Sequence, residues 1–262
     1  MSYLVICLTA LVVSGLTLFS GFGLGTLLMP AFALFFPVEV AVGATALVHL
    51  ANNLFKVLLV GRHAELRVVL RFALPAAVAA VAGALLLTWF ADLPALARYD
   101  LAGRHFAVTP VKLVMAVLIM AFGLLELSPR ADALAFDARY IPAGGLLSGF
   151  FGGLSGHQGA LRSAFLLRAG LSKEAFIGTG VVSAVAVDLT RLLVYGAGIF
   201  SGHFRALAHQ GMWGLVAAGT LAAFAGAFMG KRLMKKVTFR SIQLAVGVML
   251  VLLAVALGLG WI

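Results

Sequence analysis

The stretch Gly152-Gly-Leu-Ser-Gly-His-Gln-Gly159 lies between two short apolar segments, residues 141–151 and 157–167. A helix rises about 1.5 Å per residue and the hydrocarbon core of a bilayer is about 30 Å thick, so neither segment can cross it alone. Glycine permits the tight backbone reversal that a helical hairpin needs at its tip. We therefore predict that residues 141–167 form a hairpin that enters and leaves the membrane on one side.

A second glycine-rich stretch, Ser20-Gly-Phe-Gly-Leu-Gly-Thr26, lies in the first half of the chain. It separates residues 3–19, which are of borderline length, from the short segment 24–36. The same argument predicts a second hairpin over residues 3–36.

The composition of the 262-residue chain fits a membrane protein: 63% of the residues are hydrophobic, 11% are charged and the mean hydropathy is +1.12. Soluble domains carry about 25% charged residues. This composition excludes a cytosolic enzyme, a nucleic-acid-binding domain and a disordered chain. We predict an all-α polytopic membrane protein in which six further apolar segments cross the bilayer: residues 40–60, 72–90, 111–127, 175–195, 212–230 and 242–260.

An internal repeat relates the two halves. Glu39-x3-Gly43-x9-Asn53-x2-Lys56-x4-Gly61 matches Glu174-x3-Gly178-x9-Asp188-x2-Arg191-x4-Gly196 without a gap, and Ala82-Gly83-Ala84 has its counterpart in Ala225-Gly226-Ala227. The predicted repeats, each a hairpin followed by three crossings, are residues 1–127 and 141–262, joined by a linker at 128–140.

Basic residues predict the orientation, because cytoplasmic loops of membrane proteins are enriched in Lys and Arg. The loops at 128–140, 168–173 and 231–240 are then cytoplasmic, both chain ends are periplasmic, and the two repeats are inverted relative to each other. If residues 141–167 crossed the membrane instead, this inversion would disappear.

Inverted repeats with broken helices are typical of transporters, whose half-helix N-termini point at anionic groups near the midplane. The second arms of the hairpins begin near Thr26 and His157, so both would face a central cavity suited to an anion. The candidate substrate-binding residues are Arg162, His157, Gln158, Gly159, Ser155, Gly25, Thr26, Asn52, Asn53, Thr45, Thr179 and Ser183.

Arg162 carries the strongest signal, because an arginine inside a membrane is costly and its planar fork suits paired anion oxygens. Two alternatives are an ion pair with Asp188 and a side chain that extends to the cytoplasmic face. His157 and Gln158 could donate hydrogen bonds to an anion, with helix capping as the alternative for both.

One face of the third segment is polar: it carries His49, Asn52, Asn53 and Lys56. Lys56 and Arg191 are secondary charged candidates. We expect Lys56 to extend to the interface, and Arg191 either to do the same or to pair with Asp188 three residues earlier. Proton coupling is a weaker hypothesis, with possible sites at His49, His157 and Asp188.

Other chemistries lack a signature. The single cysteine, Cys7, offers no metal-ligand spacing, and no ATP-binding or protease motif is present. We expect no enzyme activity, cofactor, metal or nucleic-acid partner. The expected partners are a small anion and the lipid bilayer, and a homo-oligomer is possible but not readable from the chain.

The glycine motifs resemble those of the sulfite exporter TauE/SafE family of membrane transporters. The resemblance rests on Gly21-Phe-Gly-Leu-Gly25 with Pro30 and Ala41-Val-Gly-Ala-Thr45 with Asn53, and recurs in Gly149-Phe-Phe-Gly-Gly153, Ser155-Gly156 and Gly178-Thr179. It implies a bacterial inner-membrane transporter of sulfite, thiosulfate or sulfonates such as sulfoacetate. The His157-Gln158 pair and Arg162 differ from many members.

These observations together predict a secondary transporter of small sulfur-containing anions that works as an exporter by alternating access. An inside-negative membrane potential drives an anion outward by about 2.3 kcal/mol per charge per 100 mV, so export needs no coupling ion. The alternatives are an uptake permease of the same fold, an anion channel and a membrane enzyme.

Overall fold

The computed structural model describes residues 1–17, 24–129, 134–197, 211–233 and 239–262, without the side chains of residues 16–17, 231–233, 239–243 and 245. Within these ranges the chain forms ten α-helices. They are α1 (Ser2–Thr17), α2 (Leu24–Ala33), α3 (Val38–Val60), α4 (Leu66–Ala91), α5 (Pro110–Leu127), α6 (Ile141–Ser155), α7 (Gly159–Leu166), α8 (Lys173–Ala197), α9 (Met212–Leu233) and α10 (Phe239–Gly258).

Each predicted apolar segment corresponds to one of these helices, so the all-α membrane class is confirmed. Among the described residues, five helical stretches are long and apolar enough to cross a bilayer: Val38–His63, Leu66–Ala91, Pro110–Leu127, Lys173–Ala197 and Met212–Gly230. The sixth expected crossing, α10, has 20 residues, and its fully described apolar part is Val246–Gly258.

The second predicted hairpin is short, and its two ends lie side by side. With 15 residues, α6 spans about 22 Å, and α7 spans about 12 Å with eight, so neither reaches across the hydrocarbon core. The amide of Phe136 donates to the carbonyl of Ala164 at 3.1 Å, and the Phe136 and Phe165 rings stack at 4.3 Å. The segment therefore leaves the helix bundle at the end where it entered, as a hairpin must.

Most of the first predicted tip, Ser20 to Gly23, lies outside the described residues. Its second arm, α2, is described, and all ten of its residues are buried. This arm packs against α1 and α3, so the first hairpin contributes to the centre of the bundle. The cytoplasmic position of the second hairpin's ends and the inversion of the repeats stay predictions.

Close helix packing depends on glycine in both halves. A Cβ atom on Gly149 of α6 would lie 2.0 Å from the Ala76 carbonyl oxygen of α4, and one on Gly226 of α9 would lie 2.1 Å from the Leu11 carbonyl oxygen of α1. Lipid is as apolar as the side chains, so membrane helices associate through such close van der Waals contact rather than through the hydrophobic effect.

A β-hairpin that we did not predict lies between α4 and α5. Strands β1 (Ala97–Leu101) and β2 (Arg104–Val108) pair antiparallel around Ala102 and Gly103, whose φ angles of 52° and 74° suit a tight two-residue turn. The Tyr99 hydroxyl donates to the Leu259 carbonyl, which joins the hairpin to the chain just after α10.

Candidate functional site

A buried carboxylate, Asp188 of α8, joins three parts of the molecule. Its Oδ1 atom accepts from Arg191 Nε at 3.1 Å, Arg191 Nη2 at 2.8 Å and Gln158 Nε2 at 3.0 Å. Its Oδ2 atom lies 2.6 Å from His49 Nδ1 and accepts from Asn53 Nδ2 at 3.1 Å. We call this set the Asp188 network; its members, from α3, α8 and the second tip, are His49, Asn53, Gln158, Asp188 and Arg191.

Arg191 stabilises the second tip as well as Asp188. Helix α6 ends inside the bundle, where bulk water cannot bond the carbonyls of its last turn. Arg191 Nη1 donates to the Gly152 carbonyl at 3.3 Å, and the hydroxyl of Tyr195, one turn further along α8, donates to the Gly153 carbonyl. The predicted pair with Asp188 is confirmed, whereas extension of Arg191 to the interface is wrong, because its side chain is fully buried.

Tyr195 was missing from the predicted site. It lies four residues after Arg191 and seven after Asp188, so the three share one helix face. That spacing could have identified it.

Arg162 lies in the first turn of α7, and its Nη1 atom donates to Gln158 Oε1 at 3.3 Å. A Cβ atom on Gly180 would lie 3.5 Å from Arg162 Nε, so this glycine gives the side chain room against α8. Extension of Arg162 to the cytoplasmic face is wrong, because its side chain is only 7% exposed. The described ion pairs of Asp188 are with His49 and Arg191, and a pair between Asp188 and Arg162 stays a prediction.

Gln158 connects Arg162 to the Asp188 network. It occupies the N-cap position of α7, but its side chain makes no capping hydrogen bond, so the capping alternative is wrong. The amide nitrogen donates to Asp188 and the amide oxygen accepts from Arg162. The side chain is therefore engaged by protein groups and fixes the position of the Arg162 guanidinium.

The structure contradicts the expected extension of Lys56 to the interface. Its side chain is 6% exposed, and no hydrogen bond or ion pair joins it to any described residue. The charged neighbour close enough to act on it is Arg162, a second cation. Lys56 is thus buried without a compensating acid in the part of the chain that the structure describes.

Four buried polar atoms lack a hydrogen-bond partner among the described residues, and all four belong to predicted site residues. They are Thr45 Oγ1, Asn52 Nδ2, His157 Nε2 and Ser183 Oγ. Buried polar groups are nearly always satisfied, so each such atom calls for an explanation, and binding of a ligand or a water is one. The Asn52 oxygen is used, since it accepts from Ser14 Oγ at 3.1 Å.

The start of α2 meets the second tip, as predicted for the two glycine stretches. A Cβ atom on Gly25 would lie 3.2 Å from the Gly156 carbonyl oxygen. The imidazole of His157 stacks on Phe122 at 5.1 Å, and its Nδ1 atom lies 3.1 Å from both the carbonyl and the hydroxyl of Ser155. A narrow crevice beside it is lined by Thr26, Phe122, Glu126, His157 and Ala160.

Two predicted hydroxyls serve the fold. Thr179 Oγ1 accepts from the backbone nitrogen of Glu65 at 2.9 Å, so it binds the residue that precedes α4 rather than joining the Asp188 network. Ser155 Oγ donates to the Phe151 carbonyl one turn earlier in α6. Gly159 is buried at the first position of α7. No metal-binding group of three or more His, Cys, Asp or Glu residues occurs in the described ranges.

The model of one protein family, described as Sulfite exporter TauE/SafE, matches residues 6–257. The chain belongs to the sulfite exporter TauE/SafE family. The match includes both glycine stretches, the Asp188 network, Lys56 and Arg162, and it confirms the resemblance of the motifs. The TauE/SafE chain is thus a multi-pass membrane protein of a transporter family. No curated protein and no solved structure gives a significant match.

Proposed function

We propose that this TauE/SafE protein exports a small sulfur-containing anion, sulfite or an organosulfonate such as sulfoacetate, across the bacterial inner membrane by alternating access. The observation that carries the proposal is the excess of buried positive charge around the second tip. Three buried cations, Lys56, Arg162 and Arg191, lie in or beside the Asp188 network, whereas the described residues include two buried acids, Asp188 and Glu126.

Such an excess is costly in a membrane, where ionisable side chains usually mark a substrate or ion pathway. The undescribed stretches contain one acidic residue, Asp132, which lies in the linker between the repeats. A bound anion would offset the excess, and the N-terminus of α7, aimed at the same region, favours negative charge.

The contacts of the site residues suggest a separate role for each of them. Arg162, oriented by Gln158, would bind two oxygens of a sulfonate or sulfite group through its planar fork. Asn52, Thr45 and Ser183 have polar atoms without described partners, which would orient the remaining oxygens. The Asp188 network holds the second tip in place beneath them.

The packing of the helices supports two repeats that rock against each other. Helices α1–α5 of the first half correspond in order to α6–α10 of the second half. If each helix is replaced by its counterpart, the α4–α6 contact becomes α9–α1 and the α4–α8 contact becomes α9–α3, and all four contacts are present. The same exchange maps the α3–α8 and α5–α10 contacts onto themselves. A pseudo-two-fold arrangement of this kind is what alternating access by inverted repeats requires.

Transport is tested with purified protein in liposomes that carry an imposed membrane potential. We expect sulfite or sulfoacetate to move toward the positive side, and the Arg162→Gln variant to lose this flux while it folds normally. Arg67→Gln is the matched control, because Arg67 is an exposed cation in the first turn of α4. No flux of any sulfur-containing anion would contradict export, unitary conductance steps would indicate a channel, and chemical conversion of sulfite would indicate an enzyme.

Orientation is tested by labelling single cysteines introduced at Ala138 and Ser172 in a Cys7→Ser background. The arrangement of inverted repeats places both positions at the cytoplasmic face, on either side of the second hairpin. Labelling of the two from opposite sides would contradict it.

A further inference from the structure

We propose that Lys56 makes the site selective for doubly charged over singly charged anions. This inference rests on the proposed function, because it assigns a charge preference to the same anion site. Lys56 differs from the residue at the equivalent position of the other sequence repeat, Arg191, in what surrounds it.

The repeat aligns Asn53 and Lys56 of α3 with Asp188 and Arg191 of α8. In α8 the acid and the base lie three residues apart and form an ion pair, with Arg191 Nη2 2.8 Å from Asp188 Oδ1. In α3 the position of the acid is occupied by an amide, so the equivalent pair cannot form. The α8 pair is neutral as a unit, whereas the α3 pair carries a full positive charge.

None of the described contacts of a neighbouring acid supplies Lys56 with the ion-pair partner that Asn53 cannot provide. The two oxygens of Asp188 are already contacted by four side chains, those of His49, Asn53, Gln158 and Arg191. None of these contacts involves Lys56. The side chain of Lys56 is buried, and it lies one turn after Asn52 and Asn53 on the polar face of α3.

A buried cation without an acid in a low-dielectric interior attracts each negative charge of a bound anion. Lys56 therefore favours an anion with two charges over an anion with one. A second group on the same helix face could bind the anion. Asn52 lies one turn before Lys56, and its Nδ2 atom is a buried donor without a described partner. Lys56 supplies a compact point charge on a flexible stem, which complements the directional fork of Arg162.

The inference is tested with two anions of nearly equal shape, thiosulfate and methanesulfonate. Each has an SO3 group and one further substituent, and they carry two charges and one charge, respectively. Binding is measured on the purified full-length protein as anion-dependent thermal stabilisation and by isothermal titration. We expect the wild-type protein to bind thiosulfate at least about tenfold more tightly.

Lys56→Gln should abolish that preference by weakening thiosulfate binding about tenfold or more, while methanesulfonate binding changes much less. Lys56→Arg keeps the charge and should retain the preference, which separates a loss of charge from a disturbed fold. Lys173→Gln is the matched control, since Lys173 is an exposed lysine at the start of α8.

The inference would be overturned if Lys56→Gln weakened the binding of both anions equally, or if the wild-type protein bound both anions equally. Either result would leave the anion site in place. Failure of wild-type protein to bind thiosulfate, methanesulfonate and sulfite would instead contradict the proposed function, and the inference with it.

Discussion

The polar faces of α3 and α8 occupy equivalent positions in the two predicted repeats, yet their charged residues have different surroundings. On α8, Arg191 is paired with Asp188 and bonded to the Gly152 carbonyl of the second tip. On α3, Lys56 is buried to nearly the same degree but has no acid or hydrogen-bond partner among the described residues. We infer that one half of the chain uses its cation to hold a broken helix, whereas the cation of the other half is available to a ligand.

The largest expected effect contrasts these two cations directly. Arg191→Met leaves Asp188 without its paired arginine and removes one of the two donors to the Gly152 carbonyl, and breaking a buried ion pair in this way costs about 3–5 kcal/mol. Lys56→Met removes an uncompensated buried charge, so we expect unchanged or increased stability. The measurement is the free energy of unfolding in detergent micelles. Equal destabilisation by the two substitutions would mean that Lys56 has a structural partner.

A second prediction asks whether the repeats are equivalent in their helix packing. Gly149→Ala and Gly226→Ala would each place a Cβ atom within 2.0 or 2.1 Å of a backbone oxygen of the neighbouring helix, and overpacking of this kind costs about 1–3 kcal/mol. Gly196→Ala is the control, because a Cβ atom at that position would meet no described atom within 4 Å. Thermal unfolding of the three variants should separate the first two from the third. A tolerated Gly149→Ala would argue against the close α4–α6 contact.

A third, smaller effect concerns the connection between the charged α8 face and Arg162. Gln158→Leu removes the hydrogen bonds to Asp188 and from Arg162, and interhelical hydrogen bonds in membranes contribute about 0.6 kcal/mol each on average. We therefore expect a loss of about 1 kcal/mol in stability, together with weaker anion binding because Arg162 loses its support. Titration of sulfite against the variant measures the second effect. Unchanged affinity would show that Gln158 does not position Arg162.

The smallest effect is expected for Tyr195→Phe, which leaves the Gly153 carbonyl without its donor. One interhelical hydrogen bond predicts a loss of about 0.6 kcal/mol. Tyr99→Phe is a useful comparison, because Tyr99 also donates to a carbonyl, that of Leu259, but at an exposed position where water can replace it. Thermal unfolding should show the larger decrease for Tyr195→Phe, and the reverse order would argue against a broken helix whose end depends on α8.

Much of the fold could be predicted because apolar length and glycine clusters are local signals. The ten helices and the hairpin over 141–167 follow from them. The surroundings of individual side chains could not be predicted in the same way. Lys56 lies five residues from Gly61, so extension to the interface was the natural expectation, but the burial of a side chain depends on the neighbouring helices that cover it.

Side-chain roles within the site show the same limit. The spacing of Asp188 and Arg191 predicted their pair, because i,i+3 contacts are set by the helix itself. Gln158 lies between Arg162 and Asp188, and Thr179 binds the residue before α4. Both positions depend on contacts between distant parts of the chain. The β-hairpin at 97–108 was missed since its signal is a single Ala-Gly turn between short strands.

The most direct test of the central claim is to locate a bound anion in a crystal of the protein grown with selenite, the selenium analogue of sulfite, by anomalous diffraction. We predict a selenium peak beside the Arg162 guanidinium and within reach of the Lys56 ammonium, and loss of that peak in Arg162→Gln. A peak at Arg191 instead, or only at exposed cations such as Arg67, would contradict it.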